Sequence, residues 1–407
     1  MAAPLSVTPA VKGVLARLQD AGHQAYIVGG AVRDLLLDRV PKDYDIATSA
    51  TPEEVRHVFG RAARLIGRRF RLAHVYCGRT CYEVSTFRRE PSPEERKTRA
   101  TDDGVMIWQD NQFGTLEQDA RRRDFTVNAI YYNPLREPHF RDDCGGIPDL
   151  RAGLVRAIGD PGLRLAEDPV RVLRALKLVA EYGFRLDSSL ATPVREQAPA
   201  LSRSSPARLY EELLKIARKP YCAETFAACR QYGLLQHFLP AMDRLWDGSA
   251  GELLRRLLAE RDRRLGGGEY SHSRALALAT AAFAPAWLAM GAPPGGLWEH
   301  NEGIEKTLRE SVRKSYSPLP VPRVLTARAR DILLLLPRFR QPAAKRRLLR
   351  HPEYRYAREL YSLLSAIHGW DAAALADWPP SGTGPFERHG ARPRYMHRPH
   401  HKEWQAP

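Results

Sequence analysis

Apolar and polar residues repeat with two different periods along this chain, and the changeover between them divides it. Between residues 8 and 21, Val11, Val14, Leu15 and Leu18 recur at helical spacing, which predicts an amphipathic helix. It leads into Tyr26-Ile27-Val28, a β-prone run read as a strand ending at Gly29-Gly30. A helical segment (Ala31 to Leu37), a basic turn (Arg39-Val40-Pro41-Lys42) and a second strand carrying Asp43 and Asp45 follow. Thr51-Pro52-Glu53-Glu54 starts another helix, with a capping hydroxyl, a proline in the first turn and acids at the positive end. Leu72 to Cys77 and Cys81 to Phe87 read as a hairpin around Gly78-Arg79-Thr80. The polar residues 88 to 120 predict a long loop, mobile over the candidate site. Tyr131-Tyr132 and Phe140 onward form a last strand pair, and Asp143 to Leu150 a turn.

From Leu163 the period becomes helical. Val172, Ala175, Leu176, Val179 and Ala180 share one face, and Ser205-Pro206 caps a second amphipathic helix that closes near Lys219-Pro220. Residues 221 to about 375 read as helical throughout, broken at Gly233, Gly248, Gly266 to Gly268, Gly291 to Gly296 and Pro318 to Pro322. Strands first and helices after them make an α+β protein. The 407 residues leave room for two or three domains. The divisions expected are a strand-rich domain over 1–160, a helical neck over 161–220, a helical body over 221–380 and a basic, disordered tail over 381–407.

Charge narrows the partners. There are 63 Lys and Arg against 47 Asp and Glu, a net +16 that favours nucleic acid or an anionic membrane surface. No apolar run approaches ~18 residues, so no membrane span is expected. The N-terminus, MAAPLSVTPAVKG, has no basic region followed by an apolar stretch, so no signal peptide is expected. Cys77, Cys81, Cys144, Cys222 and Cys229 include no C-x-x-C pair and are an odd number, which reads as reduced thiols of a cytoplasmic protein without zinc.

Asp43 and Asp45 are two apart on a predicted strand, so their carboxylates face one way while Tyr44 and Ile46 face a core. Two such anions repel unless a cation lies between them, and Mg²⁺, a hard ion with oxygen ligands, suits that position. Gly29-Gly30 lets backbone N–H groups approach a phosphate, with a helix start behind it. A phosphate cradle beside a metal-binding acid pair points to nucleotidyl transfer with two Mg²⁺ ions. Glu83, among Val84, Thr86 and Phe87, either leans onto the same metals or is an edge-strand charge facing solvent. In Arg121-Arg122-Arg123-Asp124-Phe125-Thr126-Val127-Asn128, an arginine suits a triphosphate. Asp124 either accepts from a ribose hydroxyl or completes the acid set. Glu167-Asp168-Pro169-Val170-Arg171 caps a helix. With Asp168 and Arg171 on one helical face, a carboxylate and a guanidinium match the Watson–Crick edge of adenine and equally that of cytosine, but not guanine or uracil.

The strings G-G-A-V-R-D and K-D-Y-D-I-A-T-S resemble the polymerase-beta superfamily nucleotidyltransferases, in the branch holding bacterial poly(A) polymerases and class II CCA-adding enzymes. R-R-D-F-T-V-N and E-D-x-x-R are similar to that family's nucleotide- and base-reading elements, and the likeness covers residues 20 to 240 most fully. It implies a polymerase-beta-like nucleotidyltransferase domain with a small mixed sheet, followed by an all-helical neck and C-terminal RNA-binding region. It also implies catalysis by Asp43, Asp45 and Asp124, with Asp43, Asp45 and Glu83 on the metals and the choice between Asp124 and Glu83 as third acid left open. The nucleotide falls to Gly29, Gly30, Arg33, Arg123, Asp124, Asp168 and Arg171. Leu65 to Val75, LIGRRFRLAHV, closely resembles the signature of the poly(A) polymerase branch. The activity implied is template-independent addition of AMP from ATP to RNA 3′ ends, with RNA-decay proteins as further partners. CCA addition to tRNA is the runner-up, and a non-catalytic RNA-binding protein is the reading from another class. The absence of any His-Asp dipeptide among 13 histidines argues against an appended metal phosphohydrolase domain. Finally, Arg338, Arg340, Lys345, Arg346, Arg347, Arg350, Arg355 and Arg358, interleaved with Phe339, Tyr354 and Tyr356, read as an RNA-backbone track with aromatics for stacking. The four histidines of the tail read as part of a flexible basic arm.

Overall fold

A computed structural model describes residues 5–67, 71–90, 112–341, 345–370 and 375–380, with the side chains of Lys345 and Arg346 also left aside. Arg68, Arg69 and Phe70 of the LIGRRFRLAHV string, residues 91–111 of the expected loop and the tail 381–407 lie outside the described residues. The described residues form two compact units, the first up to residue 171 and including 182–194, the second of 172–181 and from 195 to 380.

The first unit is built on a seven-stranded mixed sheet of order β3-β4-β5-β2-β1-β6-β7. The strands are β1 (Ala25–Val28), β2 (Asp45–Thr48), β3 (Ala63–Ile66), β4 (Leu72–Cys77), β5 (Thr80–Thr86), β6 (Tyr131–Tyr132) and β7 (Phe140–Arg141). All neighbours are antiparallel except β2 and β5. Helix α1 (Pro9–Asp20) buries the predicted stripe Val11, Val14, Leu15 and Leu18. Helix α2 (Gly30–Leu36) follows β1, and α3 (Pro52–Phe59) starts with a capping box between Thr51 and Glu54. Val28, Ala47, Phe87, Leu116, Ala120 and Tyr131 make a core cluster under the sheet.

Several expectations change here. β2 starts at Asp45, and Asp43 lies in the bend before it, so Asp43 is not a strand residue. β5 is interior, between β4 and β2, which removes the edge-strand reading of Glu83. The predicted loop does not run to residue 120: Arg88 bridges to Phe113, and α4 (Leu116–Arg121) follows with a capping box between Thr115 and Gln118. The turn at Asp143 to Leu150 contains α5 (Gly146–Arg151). The helix expected to start at Glu167-Asp168-Pro169 is α7 (Val170–Tyr182); a separate α6 (Pro161–Glu167) precedes it, and Pro169 keeps Asp168 between them out of helical geometry (φ −141°, ψ 89°). A parallel pair, β8 (Leu154–Val155) with β9 (Arg185–Leu186), was not legible in so few residues. α8 (Ser188–Glu196) follows it.

The second unit is helical. α9 (Pro206–Ala217) has its predicted amphipathic stripe, though Ser205 makes no side-chain cap. After α10 (Cys222–Gln231), α11 (Leu235–Phe238) and α12 (Pro240–Leu245) come the long α13 (Ser249–Gly266) and α14 (Arg274–Ala289). α14 is buried on nearly every side, as its all-round apolar sequence requires. Its alanines let α13, α15 (Ile304–Tyr316) and α16 (Arg323–Leu335) pack close. A short α17 (Lys345–Leu348) precedes α18 (Tyr354–His368). Phe339 and Tyr354 are 3% and 0% exposed, packed on each other and on Trp378. They are core residues, and the stacking role expected of them is withdrawn.

Buried charge ties the helices together. Arg261, 2% exposed, donates to the Lys219 carbonyl (3.0 Å) and to that of Ala217 at the end of α9. Asp262, which Arg261 also contacts, accepts from the Ala223 N–H (2.8 Å) in the first turn of α10. On α9, Glu212 takes Lys177 and Lys215, each at 2.8 Å, with Arg174 at 3.7 Å. Burial works against the charged carboxylate, yet the two lysines hold it down to about 2.

A folded-state pKa below the unfolded one means stability that is present above the unfolded value and lost as pH falls. Glu212→Gln should therefore destabilise the chain by ~2–3 kcal/mol at neutral pH, since it leaves cations facing a buried amide. In urea titrations the difference from the parent should be full above pH 4.5 and shrink as pH falls toward 2. A difference independent of pH would show that packing, not charge, is what Glu212 contributes.

Candidate functional site

The site is assembled at one end of β1, β2 and β5. β1 ends at Val28, and Gly29 takes φ 77°, ψ −137°, a conformation that L side chains rarely adopt. A Cβ on Gly29 would lie 3.6 Å from Arg123 Nη1 and 3.9 Å from Asp45 Oδ2. The glycine thus keeps open a crevice with an acid on one wall and a guanidinium on the other. Register sets the acid wall: Val28 pairs with Asp45 across β1–β2, and Asp45 with Glu83 across the parallel β2–β5 step. Both acids are exposed at this end. The protein packed around Asp45, then Glu83 and Asp43, push its carboxyl up to about 6, with Arg123 opposing.

Among the described residues no three His, Cys, Asp or Glu side chains are grouped closely enough to hold a metal ion by themselves. Mg²⁺ seldom needs such a group, being held by one or two carboxylates together with substrate phosphates and water. Asp45, with Glu83 as its register partner and Asp43 close enough to act on its charge, fits that manner of binding, because a cation there relieves the repulsion.

The opposite wall comes from the RRD segment and α4. Arg123 donates through Nε to Tyr131 Oη (3.0 Å), through Nη2 to Asp119 Oδ2 (3.1 Å) and through Nη1 to the Asn128 carbonyl (3.4 Å). Tyr131 and Asp119 hold its pKa above the usual arginine value despite burial, so it remains a cation. Asp124 is engaged within the RRD segment. Its Oδ1 accepts from the Phe125 N–H (2.8 Å) and from Asn128 Nδ2 (3.2 Å), and its charge acts on Arg171.

Arg33 is buried beneath the glycine turn. It bonds Asn128 Oδ1, Asp34 (3.0 Å) and Tyr182 Oη (2.6 Å), and its guanidinium lies 4.4 Å over the Tyr182 ring. Asn128 therefore joins Arg33 to Asp124. Asp168 and Arg171 do not share a helical face, because Asp168 precedes α7. Instead Asp168 Oδ1 accepts from the Val170 N–H (3.2 Å), and its carbonyl accepts from the Arg171 N–H (3.0 Å). Arg171 donates to the Arg164 carbonyl (2.8 Å) and lies 3.5 Å from Glu167. Burial and the neighbouring Arg164 lower its pKa, with Asp168, Asp124 and Glu167 opposing.

Two residues of this network escaped the sequence reading. Arg164 is buried, contacts Glu90 and Glu167, and donates to the carbonyls of Arg122 (2.6 Å) and Arg123 (2.9 Å). It joins the RRD and EDxxR segments, and its only sequence signal is its place three residues before Glu167. Asp119 falls in the stretch whose polarity predicts a loop, and its sequence signal for a helix is the Thr115/Gln118 capping box.

The geometry agrees with what the chain is similar to. A family model described as the poly A polymerase head domain matches residues 25–156, and one described as a probable RNA and SrmB-binding site of polymerase A matches residues 183–245. Poly(A) polymerase I of Haemophilus influenzae is 38% identical over 379 residues, spanning 90% of this chain and 82% of the relative. A CCA-adding enzyme of Lactobacillus helveticus is 36% identical over 213 residues, 52% of this chain and 51% of that protein. Among solved structures, the Bacillus stearothermophilus CCA-adding enzyme in complex with CTP superposes with a TM-score of 0.63 at 25% identity, covering 92% of this chain and 85% of that one. With a poly(A) polymerase I matched across most of both lengths, the chain belongs to the poly(A) polymerase I family of polynucleotide adenylyltransferases.

Proposed function

We propose that the chain extends RNA 3′ ends with AMP taken from ATP, without a template, at the crevice between Asp45 and Arg123. The observation that carries this is the juxtaposition of opposed walls: repelling carboxylates on β2 and β5, and across Gly29 a cation locked by Asp119 and Tyr131. Asp43, Asp45 and Glu83 would hold Mg²⁺. When bound, the metal lowers the pKa of the attacking 3′-hydroxyl and neutralises charge on the departing pyrophosphate. The Gly29-Gly30 turn and Arg123 receive the triphosphate. Arg33 supports that turn from below through Asn128 and Tyr182. Asp168 and Arg171, with Asp124 close to Arg171, address the base and sugar. The helical second unit, which contains the 183–245 match from residue 195 on, takes the RNA. No helix among the described residues is long and apolar enough to cross a membrane.

Asp43→Asn and Asp45→Asn should each lower transfer by on the order of 10³-fold, the scale of several kcal/mol of lost charge stabilisation. Thermal melts in EDTA should show the same or a higher Tm, since each change removes repulsion and little packing. A variant that retains most of its activity would remove the acid wall from the mechanism.

Glu83→Gln and Asp124→Asn separate the two candidates for third acid. Raising Mg²⁺ or adding Mn²⁺ should restore part of the activity of Glu83→Gln and none of that of Asp124→Asn, because Glu83 is the register partner of Asp45. Rescue of Asp124→Asn alone would reverse the assignment.

The CCA-adding likeness motivates a nucleotide test. On a generic unstructured RNA, ATP alone should give long homopolymers on a gel, CTP at most short additions, and GTP and UTP less. Addition that stops at three residues on a tRNA lacking its end, with no tail on the generic RNA, would favour CCA synthesis.

A further inference from the structure

Asp119 is 2% exposed, and each of its carboxylate oxygens takes two donors. Oδ1 accepts from the Arg88 N–H (3.1 Å) and Arg122 Nε (3.1 Å), and Oδ2 from Tyr131 Oη (2.6 Å) and Arg123 Nη2 (3.1 Å). Tyr131 Oη accepts in turn from Arg123 Nε (3.0 Å), which closes a ring of carboxylate, phenol and guanidinium. Arg123 is thereby held along its Nε–Nη2 edge, and the third nitrogen, Nη1, which has only a long bond to the Asn128 carbonyl (3.4 Å), is the atom nearest the position of a Cβ on Gly29. The ring rests on packed elements. Leu116 and Ala120 of α4, one helical turn apart, join the core cluster with Tyr131 itself, so Asp119 is delivered between them from a fixed helix.

We infer that Asp119 is a positioning residue for nucleotidyl transfer, acting through Tyr131 and Arg123 to aim one guanidinium nitrogen at the triphosphate on the Gly29-Gly30 turn. This rests on the proposal that Arg123 meets the triphosphate. A planar guanidinium has two edges that can meet oxygen pairs. Committing one edge to a buried acid leaves the other orientation fixed before the nucleotide arrives, so no side-chain entropy is lost on binding. The buried acid also keeps the arginine cationic in a desolvated setting without competing for the metal, because it lies on the wall opposite Asp45.

The test compares Asp119→Asn, Tyr131→Phe, Arg123→Ala and the double variant Asp119→Asn/Arg123→Ala, as full chains with Mg²⁺, ATP and an unstructured RNA. Asp119→Asn and Tyr131→Phe should each raise KM for ATP ~10-fold, the usual scale for loss of a supporting hydrogen-bond partner, while KM for RNA stays put. The double variant should be no worse than Arg123→Ala alone, since the two residues act as one unit. Losses that multiply in the double variant, or an unchanged KM for ATP in Asp119→Asn, would make Asp119 a fold residue only. Should Asp119→Asn not fold, Tyr131→Phe carries the comparison: it removes one oxygen from the ring, and an unchanged KM for ATP there overturns the inference. A normal KM for ATP in Arg123→Ala would instead bring down the triphosphate reading itself, an outcome distinct from the others.

Discussion

Like charges on adjacent strands repel, and the register that sets Asp45 beside Glu83 holds that repulsion in place. The cost is met by the core beneath. Val28, opposite Asp45 in the register, and Ala47, two residues on, share its face and are buried with Phe87 and Tyr131, so a one-residue slip of β2 would turn Asp45 to the other face of the sheet, away from Gly29 and Arg123. The strand ends can therefore carry unneutralised acids because the strand middles cannot move. Gly29 serves the same end, since any side chain there would fill the crevice between the acid and Arg123.

A second feature is how many arginines do their work out of solvent. The +16 net charge reads first as a surface for polyanions. Yet Arg33, Arg164 and Arg261 are buried, each bonding groups distant in sequence: Arg33 to Asn128 and Tyr182, Arg164 to the carbonyls of Arg122 and Arg123, Arg261 to the carbonyls that end α9. A guanidinium has donors in a fixed fork, so one side chain can satisfy several carbonyls or carboxylates that a folded chain leaves exposed at helix and strand ends. In the first unit hydrogen bonds run from Arg33 at the glycine turn through Asn128, Arg123 and Arg164 to Arg171. The glycine turn and the EDxxR segment are in this way parts of one hydrogen-bonded assembly.

The sequence by itself determined the chemistry and the order of elements. Gly29-Gly30, Asp43, Asp45 and the RRD and EDxxR strings are local patterns whose residue types carry their own meaning. The α1 stripe, the Thr51 cap and the hairpin at Gly78 follow from periods and turn chemistry within a few residues. The change from strands to helices near residue 160 was legible for the same reason. Only the tertiary structure decided which of these pieces meet. Glu83 became a neighbour of Asp45 through a parallel pairing of strands 38 positions apart, Asp45↔Glu83, and no local pattern encodes that register. Phe339 and Tyr354 proved to be core residues because Trp378 and Tyr361 close over them. Asp119 and Arg164 have ordinary sequence surroundings, and their weight comes from partners brought close only by packing. Local rules fix what a residue can do; burial and long-range register fix what it does it to.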